Sequence, residues 1–140
     1  MVSPEWPRRG AKEAALPAGQ RARLGRRAED RACGHLLAQG LRLVQRNYRV
    51  ARGPARRGGE IDLILHDRDG TLVFVEVRAR TRACAGGAAA SIAAAKRARI
   101  LFAAQHFLCH LAAPLPPCRF DVVSIDGPRL QWLPAAFDAE

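Results

Sequence analysis

Three acidic residues interrupt two apolar, β-rich segments of this 140-residue chain. Residues 59–66 read GEIDLILH and residues 72–78 read LVFVEVR, so Glu60, Asp62 and Glu76 stand where apolar side chains would pack better. Burying a carboxylate costs free energy unless a hydrogen bond or a positive charge compensates. Carboxylate oxygens on neighbouring strands are also the ligands that Mg²⁺ and Mn²⁺ prefer. The pattern therefore leaves two alternatives, a metal site or surface acids on a solvated sheet face.

The two segments are joined by DRDGT, whose Asp-Gly pair is typical of a tight turn, and together they predict an antiparallel hairpin. If His66 pairs with Leu72 across this turn, Asp62 lies opposite Glu76. Two like charges directly across a ladder destabilise a sheet. A divalent cation between them would remove that penalty.

The same register puts Glu60 opposite Arg78. Because side chains alternate along a strand, the pattern also assigns each residue to a face of the sheet. One face of the first strand is expected to carry Ile61, Leu63 and Leu65, and the other face Glu60, Asp62 and Ile64.

A third acid, Glu29, lies in a segment with helical periodicity, residues 20–39. This helix must pack on the sheet, so Glu29 is expected to approach the Asp62–Glu76 pair. Gly25, one turn earlier, is expected to allow that close approach. The three acids would then line one pocket.

The remaining elements follow from periodicity and turn residues. We expect a strand at 42–51, a basic glycine-rich connection at 52–59, a loop at 80–89, a helix at 91–111, a strand at 120–126 and a short strand at 130–133. The order α-β-β-β-α-β-(β) predicts an α/β protein with a mixed central sheet flanked by helices. Residues 1–19 are expected to form a flexible arm, 20–137 one domain, and 138–140 a tail.

The charge is strongly positive and unevenly distributed. The formal net charge is +10, and residues 1–60 hold 14 of the 23 basic residues but 5 of the 13 acids. An arginine-rich half suits a polyanionic partner, because arginine binds phosphate oxygens and releases counterions. A genome rich in G and C explains arginine over lysine, but it does not explain the net excess. The charge favours nucleic acid as the partner.

Other features narrow the class of protein. The chain has no apolar run long enough to span a membrane and no secretory signal, so we expect a cytoplasmic protein with no membrane partner. Its four cysteines form no CxxC or CxxH pair, which argues against a zinc site and a disulfide framework. His106 and His110, four residues apart on a helix, are expected to be surface or packing residues. Asp121 is expected to have a structural hydrogen-bonding role.

The chain from about residue 20 to 137 resembles the YraN family of bacterial proteins, which is predicted to be endonuclease-like. The matching motifs are GRRAED at 25–30, RNYR at 46–49, GEIDLI at 59–64, LVFVEVR at 72–78, Gly86 and Gly87, Lys96, and RFDVVSID at 119–126. The family is similar to the PD-(D/E)xK nucleases, which include restriction enzymes and Holliday-junction resolvases. This resemblance implies a restriction-endonuclease-like core and hydrolysis of phosphodiester bonds in DNA.

Carried over to this sequence, the resemblance implies that Asp62, Glu76 and the helical Glu29 bind Mg²⁺ or Mn²⁺. Position 78, where the family usually has lysine, is Arg78, which supplies charge and donors but not a base. Lys96, or its neighbour Arg97 or Arg99, is then expected to reach the phosphate from the second helix. Candidate nucleic-acid contacts are Arg56, Arg57, Arg80, Arg97 and Arg99.

Three functions remain open at this stage. The first is a metal-dependent nuclease acting on DNA, with cleavage selective for DNA structure as one form of it. The second is a non-catalytic nucleic-acid-binding protein that keeps the nuclease fold, since Arg78 departs from the family pattern. The third is a structural protein without a polyanionic partner. Resemblance to resolvases also suggests a homodimer, although no dimer surface can be identified in the sequence.

Overall fold

The computed structural model describes residues 17–52, 58–80 and 92–139, with the side chain of Arg80 excepted. The elements are α1 (Ala18–Ala38), β1 (Arg42–Val50), β2 (Gly59–His66), β3 (Leu72–Arg80), α2 (Ala94–Cys109), β4 (Cys118–Asp126) and β5 (Arg129–Phe137). The strands form one sheet in the order β1-β2-β3-β4-β5. Neighbours are antiparallel except for β3 and β4, which are parallel and are connected through α2. The predicted mixed α/β architecture is confirmed, and it is compatible with a restriction-endonuclease-like core.

Each helix covers one face of the sheet. Val73 and Val75 point to the α1 side, where they join a core cluster with Ala32 and Leu36. Leu72 and Phe74, at alternate positions of the same strand, join the α2-side cluster. Two apolar faces on the central strand explain why β3 reads as a nearly continuous apolar run in the sequence.

Glycine and turn residues end the elements where the sequence predicts. Gly40 follows α1 with φ +98°, a left-handed conformation that glycine adopts without steric cost. Gly70, at φ +87°, closes the β2–β3 turn, in which the Asp67 N–H donates to the Thr71 carbonyl at 2.8 Å. The predicted pairing of His66 with Leu72 is confirmed.

Several boundaries differ from the sequence prediction. The helix α1 begins at Ala18, inside the range assigned to the arm, and residues 1–16 lie outside the described residues. The predicted loop at 80–89 lies outside them too, except for the backbone of Arg80, and so does residue 91 of the predicted second helix. β5 was predicted to be short, but it spans nine residues. Pro134 lies in the second half of β5, and proline is unusual in a strand, so the sequence did not predict this half. An edge strand tolerates proline because one side of the strand forms no backbone hydrogen bonds.

Candidate active site

Asp62 lies at a local irregularity shared by β1 and β2. Their register runs from Arg46↔Leu63 to Tyr48↔Ile61, and between these pairs Asn47 has φ 52°. A left-handed φ is uncommon outside glycine, and asparagine tolerates it better than most residues. The backbone of β1 therefore turns locally at the position that faces Asp62.

This irregularity changes which way the side chains point. Arg46 contacts acids of α1, whereas Tyr48, two residues on, packs against Phe107 of α2. Ile61 likewise joins the α2-side cluster, although Leu63 lies in the α1-side cluster. The prediction that Ile61 shares a face with Leu63 and Leu65 was wrong, because strict alternation ends at the irregularity.

Asp62 fills the place where β2 and β3 separate. The backbone pairing of these strands runs from His66↔Leu72 to Leu63↔Val75. Beyond it, the Asp62 carboxylate itself accepts a hydrogen bond from the Val77 N–H at 2.8 Å. The acid replaces a backbone acceptor at this point, so its position is fixed by β3 as well as by its own strand.

Asp62 and Glu76 form a buried carboxyl pair, with 8% and 6% of their surfaces exposed. Burial, reinforced by the negative charge of Asp62, raises the pKa of Glu76 to about 8. Burial also raises the pKa of Asp62, although hydrogen bonds from the Val77 N–H and from Glu76 act in the opposite direction. Glu76 is therefore the member of the pair that holds a proton at neutral pH.

Lys96 approaches this pair from the helix α2. Its Nζ lies 3.4 Å from Oε1 of Glu76, and its charge lowers the pKa of Glu76 against the two larger effects. Glu76, Arg78 and Lys96 also line an open cleft of about 370 Å³ between β3 and the start of α2. The structure thus brings together three of the four residues expected to be catalytic around one cleft, with Asp62 in contact with Glu76.

Family comparisons identify the chain. The profile described as "Uncharacterised protein family UPF0102" matches residues 28–125. A UPF0102 protein of Methylibium petroleiphilum is 61% identical over 116 residues, which cover 83% of this chain and 94% of the relative. A UPF0102 protein of Paracidovorax citrulli is 64% identical over 115 residues, which cover 82% of each chain.

The chain belongs to the UPF0102 family. This confirms the resemblance to the YraN family, which is the same family, and the relatives are bacterial proteins. In the described parts of this UPF0102 chain, no helix has the length and apolar character needed to cross a membrane.

Glu29 of the UPF0102 chain lies near Asp62 but has different neighbours. Its Oε1 is 3.7 Å from Arg46, and the side chain is 15% exposed. Burial, followed by the negative charge of Asp62, raises the pKa of Glu29. Gly25 does not serve the close approach predicted for it, because a Cβ there would meet nothing within 4 Å.

The carboxyl pair fits a magnesium or manganese ion bound by two protein side chains. Mg²⁺ usually keeps several waters and takes further oxygen ligands from a substrate phosphate, so two carboxylates suffice. A pKa of about 8 for Glu76 also shows that the positive charge of Lys96 does not offset burial and the charge of Asp62. Within residues 17–52, 58–80 and 92–139, no three His, Cys, Asp or Glu side chains form a cluster that could hold a metal ion. Glu29 as a third ligand stays a prediction.

Glu60 links two arginines from different elements, a role that sequence reasoning missed. Its carboxylate lies 3.6 Å from Arg49 on β1 and 3.6 Å from Arg99 on α2. Of the other predicted nucleic-acid contacts, Arg97 lies on α2 and is partly buried. Arg56, Arg57 and the side chain of Arg80 lie outside the described residues.

Asn47 is the other residue that sequence reasoning did not use. The available signal was an asparagine in the middle of a strand, because asparagine is depleted in strands and tolerates positive φ. Asp121, in contrast, has the structural role expected of it. It is fully buried and accepts hydrogen bonds from Arg119, from Trp132 at 2.9 Å and from the Ala135 N–H at 2.9 Å.

Proposed function

We propose that this protein is a metal-dependent nuclease that hydrolyses phosphodiester bonds in DNA. The observation that carries the proposal is the buried Asp62–Glu76 pair with the Lys96 ammonium 3.4 Å from Glu76. An apolar pair at these strand positions would be more stable than two carboxyl groups. Perturbed acids beside a cleft are typical of sites that perform chemistry.

The roles of the side chains follow from their chemistry. Asp62 and Glu76 would hold Mg²⁺ or Mn²⁺, with Glu29 as the proposed third ligand. When bound, the metal would polarise the scissile phosphate and lower the pKa of the attacking water. Lys96 would place positive charge beside the phosphate as negative charge develops there. Arg78 lines the same cleft and supplies N–H donors, but its high pKa prevents it from acting as a base.

The basic surface supports DNA as the substrate. Arg49 is 71% exposed, and Arg99, held by the same Glu60, is 33% exposed. Guanidinium groups bind phosphate oxygens through paired N–H donors. Glu60, which contacts both arginines, also raises the pKa of Asp62 through its charge, so this surface adjoins the carboxyl pair.

The proposal is tested with purified full-length protein and a panel of branched, flapped and single-stranded DNA in Mg²⁺ or Mn²⁺. We expect cleavage by the wild type and a loss of about 100-fold or more in Asp62→Asn, with DNA affinity retained. Asparagine keeps an oxygen for the Val77 N–H, so the fold should be preserved. Asp138→Asn, an exposed acid after β5, is the matched control and should cleave normally.

Two results would contradict the proposal. Cleavage that survives in Asp62→Asn would place the chemistry elsewhere. Wild-type protein that binds these DNAs but cuts none of them would favour the second candidate, a non-catalytic nucleic-acid-binding protein with the nuclease fold. The arginine at position 78, where the family usually has lysine, is the observation that keeps this candidate open.

A further inference from the structure

A second cavity opens between α1 and β1. Its volume is about 380 Å³, which is in the range of pockets that hold small organic ligands. The cleft described above is bounded by β3 and α2, and among the described residues the two cavities have no lining residue in common. The cavity is lined by Ala22, Gly25, Arg26, Glu29, Asn47 and Arg49.

The cavity contains a hydrogen-bond acceptor whose donor is not among the described residues. Oε1 of Glu29 is buried and has no hydrogen-bond partner in the part of the chain that the structure describes. Arg46, 3.7 Å away, is too distant to donate to it. A buried acceptor left unpaired costs free energy that an N–H group of a ligand would recover.

The rim of the cavity is positively charged. Arg26 and Arg49 both contribute to its lining, and both are exposed. Arg46 adds a third guanidinium group, 3.7 Å from Oε1 of Glu29. A ligand that matches the cavity therefore combines an anionic group for the arginines with an N–H donor for Glu29. A nucleotide has both.

The cavity also lies next to the carboxyl pair. The charge of Asp62 acts on Glu29, and Asn47, at the irregularity facing Asp62, forms part of the lining. A nucleotide in this cavity would therefore neighbour a phosphate held at Asp62 and Glu76.

We propose that this cavity binds one unpaired nucleotide of the DNA substrate and prefers a base with an exocyclic amino group. The inference rests on the proposed function and names its substrate class, DNA with an unpaired nucleotide beside the cleaved bond. Cytosine, adenine and guanine would donate from their amino groups to Oε1 of Glu29. Thymine offers only its N3–H, which is flanked by two carbonyl oxygens that a carboxylate repels.

The base preference is tested by fluorescence anisotropy in EDTA, so that neither metal nor cleavage contributes. We expect single-stranded dC oligonucleotides to bind about tenfold more tightly than dT oligonucleotides of equal length, the effect of one hydrogen bond to a charged acceptor. Glu29→Met should abolish this preference, and Glu29→Gln, which retains a carbonyl acceptor, should keep part of it. Equal binding of dC and dT by the wild type would overturn the proposal.

A second variant fills the cavity without removing any polar group. Gly25→Leu adds a side chain where a Cβ meets nothing within 4 Å, and it replaces a helical glycine with a better helix former. Gly34→Leu is the matched control, because Gly34 lies on the same helix with equally open space but outside the cavity. We expect Gly25→Leu to lose about tenfold in dC affinity and the dC preference, while Gly34→Leu keeps both. Identical behaviour of the two variants would contradict the proposal.

The rim arginines separate base recognition from phosphate binding. Arg26→Ala should lower the affinities for dC and dT by the same factor, because phosphate contacts carry no base information. Its effect and the loss of preference in Glu29→Met should therefore be independent. A change in the dC-to-dT ratio in Arg26→Ala would contradict this division of roles.

These measurements distinguish the inference from the proposed function. A dC preference that Gly25→Leu removes, in a protein that never cleaves DNA with metal, would uphold the cavity and reject the nuclease. Metal-dependent cleavage without any base preference would uphold the nuclease and reject the cavity as a nucleotide site. Absence of oligonucleotide binding even at low salt would reject both.

Discussion

At the scale of single residues, the fold keeps Glu76 protonated at a pH where an exposed glutamate is ionised. Burial and Asp62 raise the pKa of Glu76 to about 8, so its carboxyl group keeps a proton at neutral pH. The unfolded chain releases that proton near the ordinary pKa of 4.5. Between these two values the folded state binds more protons than the unfolded state, so the free energy of unfolding falls as pH rises.

We therefore expect the wild-type protein to lose stability between about pH 5 and pH 8, by an amount on the order of 2–4 kcal/mol. Glu76→Gln carries no ionisable proton at this position, so its free energy of unfolding should depend less on pH in the same range. Urea unfolding at several pH values measures the difference between the two proteins, in which contributions from groups that do not interact with Glu76 cancel. Equal slopes in both proteins would contradict the assignment.

Thermal unfolding of the same proteins reports on metal binding at the carboxyl pair. A divalent cation favours the ionised carboxylates, so Mn²⁺ at pH 8 should raise the melting temperature of the wild type and reduce its loss of stability. Glu76→Gln should respond weakly, and Asp138→Asn should respond like the wild type. A melting temperature of the wild type that Mn²⁺ leaves unchanged would argue against a metal at the carboxyl pair.

At the scale of elements, the irregularity shared by β1 and β2 positions the site. Asn47, at φ 52°, lies between the pairs Arg46↔Leu63 and Tyr48↔Ile61, and Asp62 faces it on β2. A regular ladder would direct Asp62 to one face of the sheet. Here the acid instead lies between β2 and β3, where it contacts Glu76 and also acts on Glu29 from the other side.

Substitution of Asn47 tests this dependence. Asn47→Val should destabilise the protein by about 1–3 kcal/mol, because a β-branched residue is strained at positive φ, and it should also reduce cleavage. Asn47→Gly accepts the same φ and should retain more stability than Asn47→Val. Gln45→Val, an exposed position earlier on β1, is the control. Urea unfolding of the three variants gives the comparison, and equal stability of the valine and glycine variants at position 47 would show that φ does not matter there.

At the scale of the whole molecule, the charge distribution predicts how binding depends on salt. The net charge is +10, and β1 and β5, at opposite edges of the sheet, each carry exposed arginine. We expect DNA affinity to fall at least about tenfold between roughly 50 and 200 mM salt, because phosphate contacts release counterions. Binding that is absent or insensitive to salt would favour a structural protein without a polyanionic partner.

Two matched charge reversals test whether DNA binding depends on the β1 surface or only on the net charge. Arg49→Glu on β1 and Arg129→Glu on β5 change the net charge equally. We expect Arg49→Glu to weaken binding more and to reduce the salt dependence, because Arg49 lies beside the proposed nucleotide cavity. Equal losses would mean that net charge, rather than this surface, governs binding, as titration in EDTA at several salt concentrations would show.

Much of the fold follows from local patterns. The β2–β3 hairpin and its register from His66↔Leu72 to Leu63↔Val75 could be predicted because turn residues and strand alternation are local properties of the sequence. The helices could be predicted from their apolar stripes. The acids on β2 and β3 could be identified as candidate site residues because carboxylates are unusual in apolar strands. The length of β5 could not be predicted, because Pro134 is allowed there only by the strand's place at the edge of the sheet.

The sequence by itself determined the order of the elements and the placement of Asp62 and Glu76 across one hairpin. Only the tertiary structure decided that Lys96 lies at Glu76, that Ile61 changes face, and that Glu29 lines a cavity with arginines. The reason is physical: periodicity and turn chemistry act over a few residues. Contacts between distant segments depend on how the helices pack on the sheet and on where strict alternation ends, next to the left-handed Asn47.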